Sequence, residues 1–222
     1  MNYLFTFLAV VAGALLAWQV REISRKRLKL LLAFSGALLL SAVATEFLPE
    51  IYTEGSVDYG IYLIAGVFIQ IILEFFSKGA EHGHLHIDKN VSAFPYALFL
   101  SLCLHAFLEG MPLQSNDSMV YAIAVHKLPI AFIFTAFLIA NKASFVRIFI
   151  VMSIFAAMSP LGTLLAAEIG WVQEVMLPIK AIVAGIVLHV STTLILESSD
   201  GHKFNLAKLL AMILGAALAF LI

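Results

Sequence analysis

The sequence predicts an all-α integral membrane protein with eight transmembrane helices, and three observations carry that reading. First, the 222 residues are 62% hydrophobic and only 12% charged, with a mean hydropathy of +1.02. A soluble domain carries roughly 25% charged residues. Second, eight apolar stretches fall at 2–20, 28–48, 59–77, 92–112, 119–140, 145–168, 175–196 and 204–222. Each is near the ~20 residues that a bilayer-crossing helix needs. Third, the basic residues are one-sided. Of thirteen Lys and Arg, Arg21, Arg25, Lys26, Arg27 and Lys29 follow the first stretch. Lys78 and Lys89 follow the third, Lys142 and Arg147 the fifth, and Lys203 and Lys208 the seventh. The alternate connections carry none, and only Lys127 and Lys180 fall inside spans. By the positive-inside rule the basic loops are cytoplasmic and both termini lie outside.

The connections are too short for a separate soluble domain, so residues 1–222 read as one transmembrane domain in a lipid bilayer. The first stretch lacks a positive segment before it, and its basic cluster comes after. That is the reverse of a secretory signal, and it reads as a retained span. A net charge of −1 gives no signal for a nucleic-acid partner. Cys103 stands alone, which excludes an intramolecular disulfide, and in an apolar run it reads as a small buried filler. No Gly-rich phosphate loop is present, so ATP is not the expected energy source, and no organic cofactor is expected.

Taken in order, the first span carries no chemistry. The second ends Thr45-Glu46-Phe47-Leu48-Pro49-Glu50. Pro49 stops or bends that helix. Glu46 and Glu50 stand four residues apart near the outer surface, either as a solvated helix end or as an attractor for cations at a pore mouth. The third span carries Gln70 and Glu74 at the same spacing, with Glu74 about a turn from the cytoplasmic boundary and reaching for solvent. The cytoplasmic loop at 78–90 then places His82, His84 and His86 among glycines. That composition suits weak, exchangeable metal capture.

The fourth span holds the most informative run, Ser101-Leu102-Cys103-Leu104-His105-Ala106-Phe107-Leu108-Glu109-Gly110. Ser101, His105 and Glu109 share one helical face. A carboxylate at membrane depth costs about 2.5–3.5 kcal/mol on insertion scales, so Glu109 is expected to face a bundle interior and a partner. The fifth span answers with His126-Lys127-Leu128-Pro129. A buried ammonium needs a carboxylate, and Glu109 is the natural candidate for Lys127. Pro129 deprives the Val125 carbonyl of its helical donor. His105, Glu109 and His126 are the expected metal ligands, because imidazole and carboxylate together suit zinc and also iron, cobalt or manganese. In the sixth span Ser159-Pro160-Leu161-Gly162 follows small residues that favour close helix packing, with Pro160 expected to kink the helix. The seventh span offers His189 deep in an apolar run, and the eighth is Leu- and Ala-rich. Ser101, Ser159 and His189 are further candidates along an ion path.

These motifs resemble, in order and over nearly the whole chain, the ZIP (Zrt/Irt-like protein) family of divalent-metal transporters. The eight spans, the outside termini and the His-rich third loop are similar to that family. So are Glu46-Phe47-Leu48-Pro49-Glu50, Ser159-Pro160-Leu161-Gly162 and Ala184-Gly185-Ile186-Val187-Leu188-His189. The family's fourth-span pattern, His-Asn-x-x-(Asp or Glu)-Gly, is matched by His105, Glu109 and Gly110, with Ala106 in place of Asn. Its fifth-span pattern, His-Glu-x-Pro-His-Glu, is matched by His126 and Pro129, with Lys127, Ile130 and Ala131 in place of the other three.

The resemblance implies a ZIP-like bundle and alternating access, with spans one, four, five and six moving as a unit. It also implies a homodimer and divalent metal as substrate, zinc first, carried into the cytoplasm, in a bacterial cytoplasmic (inner) membrane. The departures remove ligands for a second metal, and Lys127 stands as a fixed surrogate for it. The competing readings are a zinc-dependent intramembrane lipid amidase, suggested by the Ser101/His105 pairing, and a non-transporting metal-sensing membrane protein.

Overall fold

The computed structural model describes residues 4–20, 23–54, 59–77, 94–115, 117–197 and 205–222, and the described residues are helical, with no strand among them. The helices are α1 (Leu4–Gln19), α2 (Arg25–Ala42), α3 (Leu48–Glu54), α4 (Tyr59–Ser77), α5 (Tyr96–Gly110), α6 (Asp117–Ala140), α7 (Phe145–Glu168), α8 (Gly170–Glu174), α9 (Met176–Glu197) and α10 (Leu206–Ala219).

Local chemistry sets their ends. The side chains of Ser24, Ser144 and Asn205 accept the amides of Arg27, Arg147 and Lys208 at 3.3, 3.3 and 3.2 Å, which caps α2, α7 and α10. α6 ends with Lys142 at φ 56°. Its amide bonds to the Ile139 carbonyl and the next amide bonds to Leu138. This pair of bonds closes the helix and turns the chain straight into α7.

Among the described residues six helices are long and apolar enough to cross a membrane: Lys26–Thr53, Tyr59–Ser77, Tyr96–Gln114, Ser118–Ala140, Phe145–Glu168 and Met176–Glu197. The first and last of the eight expected segments are shorter helices, of 16 and 14 residues. At 1.5 Å per residue they rise about 24 and 21 Å, less than the ~30 Å hydrocarbon core.

The prolines expected to bend or stop their helices sit in different settings. α6 and α7 run continuously through Pro129 and Pro160. Ahead of Pro49 the backbone widens into a π turn, Val43–Phe47, where the Leu48 amide reaches the Val43 carbonyl. Pro49 offers no amide to the Thr45 carbonyl, and the π turn carries the helix past this position into α3.

Helix packing divides the molecule into two bundles. α1, α5, α6 and α7 form the first, through α1 on α6 and α7 and α5 on α7. α2 with α3, α4, α9 and α10 form the second, through α2 on α10, α4 on α9 and α2 on α9. The bundles meet where α2 lies on α6 and α4 lies on α5. Within each, glycines let backbones touch. A Cβ on Gly110 or Gly162 would strike the backbone of Ser159 or Phe107, joining α5 to α7. A Cβ on Gly66 or Gly185 would strike that of Ile182 or Leu63, joining α4 to α9. The outer faces of α1, α4, α7 and α10 expose Leu8, Phe68, Phe75, Phe149 and Leu214, an apolar surface suited to lipid.

Candidate metal centre

Four buried polar residues of the first bundle, His105 and Glu109 on α5 and His126 and Lys127 on α6, lie together beside Gln70 and Ser35 of the second. α5 presents His105 and Glu109 one turn apart, and α6 presents His126 beside them. One ligand atom from each of the three lies within 4.8 Å of the others, and all three residues are buried. The Glu109 carboxylate divides its oxygens. Oε2 accepts from Lys127 Nζ at 3.1 Å, and Oε1 stands 3.0 Å from His105 Nε2 while accepting no hydrogen bond among the described residues. Lys127 is 2% exposed and Glu109 0%, so the ammonium and carboxylate compensate each other away from water. The Phe155 ring lies 5.7 Å from Lys127 Nζ and adds a cation–π contact.

The outer nitrogens of both imidazoles are engaged. His105 Nδ1 donates to Gln70 Oε1 at 2.9 Å, and His126 Nδ1 pairs with Ser35 Oγ at 3.2 Å. An amide oxygen only accepts, so the His105 proton sits on Nδ1. In its neutral form the ring turns a lone pair on Nε2 toward Glu109, and in its protonated form it donates an N–H to the same oxygen. At 3.0 Å the Nε2 and carboxylate oxygen can share a proton or be bridged by a metal ion. Two ligand atoms about 2.1 Å from a tetrahedral zinc ion stand about 3.4 Å apart, so the pair as it stands is slightly closer than a zinc site would hold it.

The α5 backbone under this cluster is fixed by α7. Ser159 Oγ donates to the Ala106 carbonyl and Thr163 Oγ1 to the Gly110 carbonyl, both at 2.7 Å. Ser159 thus spends its hydroxyl on helix packing. Ser101 is buried on α5 a turn before His105. Other candidates lie apart. Glu46 sits half-buried in the π turn. Glu50 accepts from Lys180 of α9. His189 Nε2 meets Glu74 Oε2 at 2.7 Å, both partly exposed, so Glu74 has a protein partner instead of only solvent. His82, His84 and His86 lie outside the described residues.

Ser35 and the inward role of Gln70 were missed from sequence. Ser35 reads there as one small residue beside Gly36 in an apolar run, and Gln70 as the companion of Glu74. Their only signal was a polar side chain within a span.

A sequence model of the ZIP zinc transporter family matches residues 77–222, which include the whole of α5 and α6. The chain belongs to this family. Among its relatives, protein zntD of Dictyostelium discoideum is 29% identical over 162 residues, covering 62% of this chain and 24% of that protein. Zinc transporter ZIP1 of Danio rerio is 37% identical over 93 residues, 38% of this chain and 30% of that protein. Zinc transporter ZIP1 of Takifugu rubripes is 32% identical over 156 residues, 62% of this chain and 52% of that protein. The matches therefore span about half or less of the length of these relatives.

Proposed function

We propose that the protein carries divalent transition-metal ions, zinc first, across the membrane into the cytoplasm, by alternating access through a site formed by His105, Glu109 and His126. The observation that carries the reading is the buried convergence of these ligand atoms from α5 and α6 within 4.8 Å, in a chain of the ZIP zinc transporter family. Two imidazoles, a carboxylate and water make a donor set that zinc accepts. Iron, manganese, cobalt and cadmium are the competitors to be measured.

The topology of the reading is eight spans with outside termini, in which α1 and α10 complete their crossings with flanking residues or by local thinning of the bilayer. The two bundles supply the moving parts, α1, α5, α6 and α7 sliding against the rest. Glu46 and Glu50 attract cations at the outer mouth, and His82, His84 and His86 take them up on the cytoplasmic side.

Lys127 distinguishes this site. Its ammonium occupies one oxygen of Glu109 and stands where a second cation would otherwise be neutralised. A single charge 4 Å from another is worth about 4 kcal/mol at an effective dielectric constant of 20, so a protonated Lys127 disfavours a second ion nearby. Restoring carboxylates at both fifth-span positions where the family pattern has Glu should admit one: Lys127→Glu with Ala131→Glu is expected to bind an additional zinc ion per chain by calorimetry, and an additional ion in Ala131→Glu alone would refute the surrogate role.

The test of the function is uptake into proteoliposomes. Wild type should accumulate zinc, and Glu109→Gln, which keeps the side-chain volume and removes the charge, should lose at least about tenfold of the rate. A folded wild-type protein that moves none of the five metals would end the transport reading. A fusion reporter that places the C-terminus in the cytoplasm would end the topology.

A further inference from the structure

The ligands and their supports belong to different bundles. His105, Glu109 and His126 ride on α5 and α6, whereas Gln70 and Ser35, which hold the outer nitrogens of the two imidazoles, ride on α4 and α2 of the second bundle. We infer that Gln70 and Ser35 are positioning residues that make metal affinity depend on how the bundles are docked. The inference rests on the transport reading above.

A metal-bound imidazole needs its second nitrogen tied, because that bond fixes the tautomer and the ring plane. Loss of such a partner typically weakens metal binding 10- to 100-fold. Here the ties cross the seam along which alternating access must slide. The tether is short, 2.9 Å at Gln70 and 3.2 Å at Ser35, and a shift of a few ångströms breaks both. The ligands would travel together with one another and with Lys127, but their supports would stay behind. The same ion is then held tightly while the bundles are docked as here and weakly once they have slid. Binding and release at opposite ends of the cycle follow from the seam, with no change in ligand identity. A hydrogen bond to a histidine from its own bundle could not do this, since it would move with the ring.

The experiment compares Gln70→Leu, Gln70→Glu and Ser35→Ala with wild type, by zinc calorimetry in detergent and by uptake kinetics in proteoliposomes. Gln70→Leu keeps the volume and removes the acceptor, and Gln70→Glu keeps the acceptor. The expected result is a zinc Kd weakened 10- to 100-fold in Gln70→Leu, a smaller loss in Ser35→Ala, and recovery toward wild type in Gln70→Glu. KM should rise in step with Kd while kcat holds or increases, because the release state is unaffected. Wild-type Kd and KM in Gln70→Leu and Ser35→Ala would overturn the inference while leaving the transporter intact. Equal losses in Gln70→Leu and Gln70→Glu would mark Gln70 as a packing residue and overturn it as well. Failure of wild type to bind or move zinc would instead remove the transport reading beneath it.

Discussion

The interiors of the two bundles differ from the seam between them in their close backbone contacts, although side-chain pairs such as Lys180–Glu50 and His189–Glu74 occur inside a bundle too. Inside a bundle, glycines bring backbones into contact, as Gly110 and Gly162 do for α5 and α7. Hydroxyls there bond to backbone carbonyls, as Ser159 and Thr163 do. Apolar side chains fill the rest, with Val10, Leu102, Phe134 and Phe155 among those of the first bundle. At the seam around the metal centre, side chain meets side chain: Ser35 with His126 and Gln70 with His105. Backbone contacts through a glycine have one satisfactory arrangement, because a carbonyl in van der Waals contact has nowhere to slide. Side-chain hydrogen bonds between polar tips can be broken and remade with little change in packing. On the proposed transport cycle, this difference makes each bundle the expected rigid body and the seam the surface expected to yield.

The interior should therefore be the costly place to break. The largest effect is expected for Glu109→Ala, which strands the Lys127 ammonium inside the first bundle. Breaking one partner of a buried pair costs about 3–5 kcal/mol, to be read as a lowered Tm in detergent. Adding Lys127→Met to that variant should restore most of the stability without restoring uptake. If Glu109→Ala costs no more than a seam variant, the division into rigid and yielding regions fails.

Next come the glycines. Gly110→Ala and Gly185→Ala each drive a methyl group into a neighbouring backbone. Overpacking typically costs about 1–3 kcal/mol. Gly60 has open space around it, so Gly60→Ala is the control and should leave the stability within about 0.5 kcal/mol of wild type.

The sequence displayed one side of this comparison better than the other. Hydropathy located the six described helices long and apolar enough to cross a membrane, because burial in lipid imposes a run length that composition reveals. It did not foresee that the first and last helices are short, since regular hydrogen bonding, and not hydropathy, decides where a helix stops. His105 and Glu109 were legible as a pair because both stand on one helix at a fixed spacing. Their junction with His126 and Lys127 followed from the scarcity of polar residues in spans. Ser35 was not legible, because a serine in an apolar helix is chemically indistinguishable from a packing residue until its neighbour is known. Ser159 is the converse: its motif with Pro160 and Gly162 reads as close helix packing, with the ion path as a further candidacy, and the fold uses its hydroxyl to hold α5 against α7. In both cases the deciding fact is which helix lies alongside, and that information is tertiary.

The smallest stability effects provide the sharpest test, because there the two regions differ only in consequence. Thr163→Val removes an interior hydroxyl bond to the Gly110 carbonyl, and Ser35→Ala removes a seam hydroxyl bond to His126. Side-chain hydrogen bonds between membrane helices average about 0.6 kcal/mol, so the two variants should lower the Tm by similar, small amounts. Their effects on zinc should part. Thr163 supports the α5 backbone within the bundle that carries the ligands, and its loss should leave Kd within about twofold of wild type. Ser35 orients a ligand from the opposite bundle, and its loss should weaken Kd several-fold, less than the 10- to 100-fold expected at Gln70. Equal Kd values for the two variants would mean that the seam is ordinary packing. A several-fold difference at equal Tm would separate a bond that holds the fold from one that sets the affinity of the site.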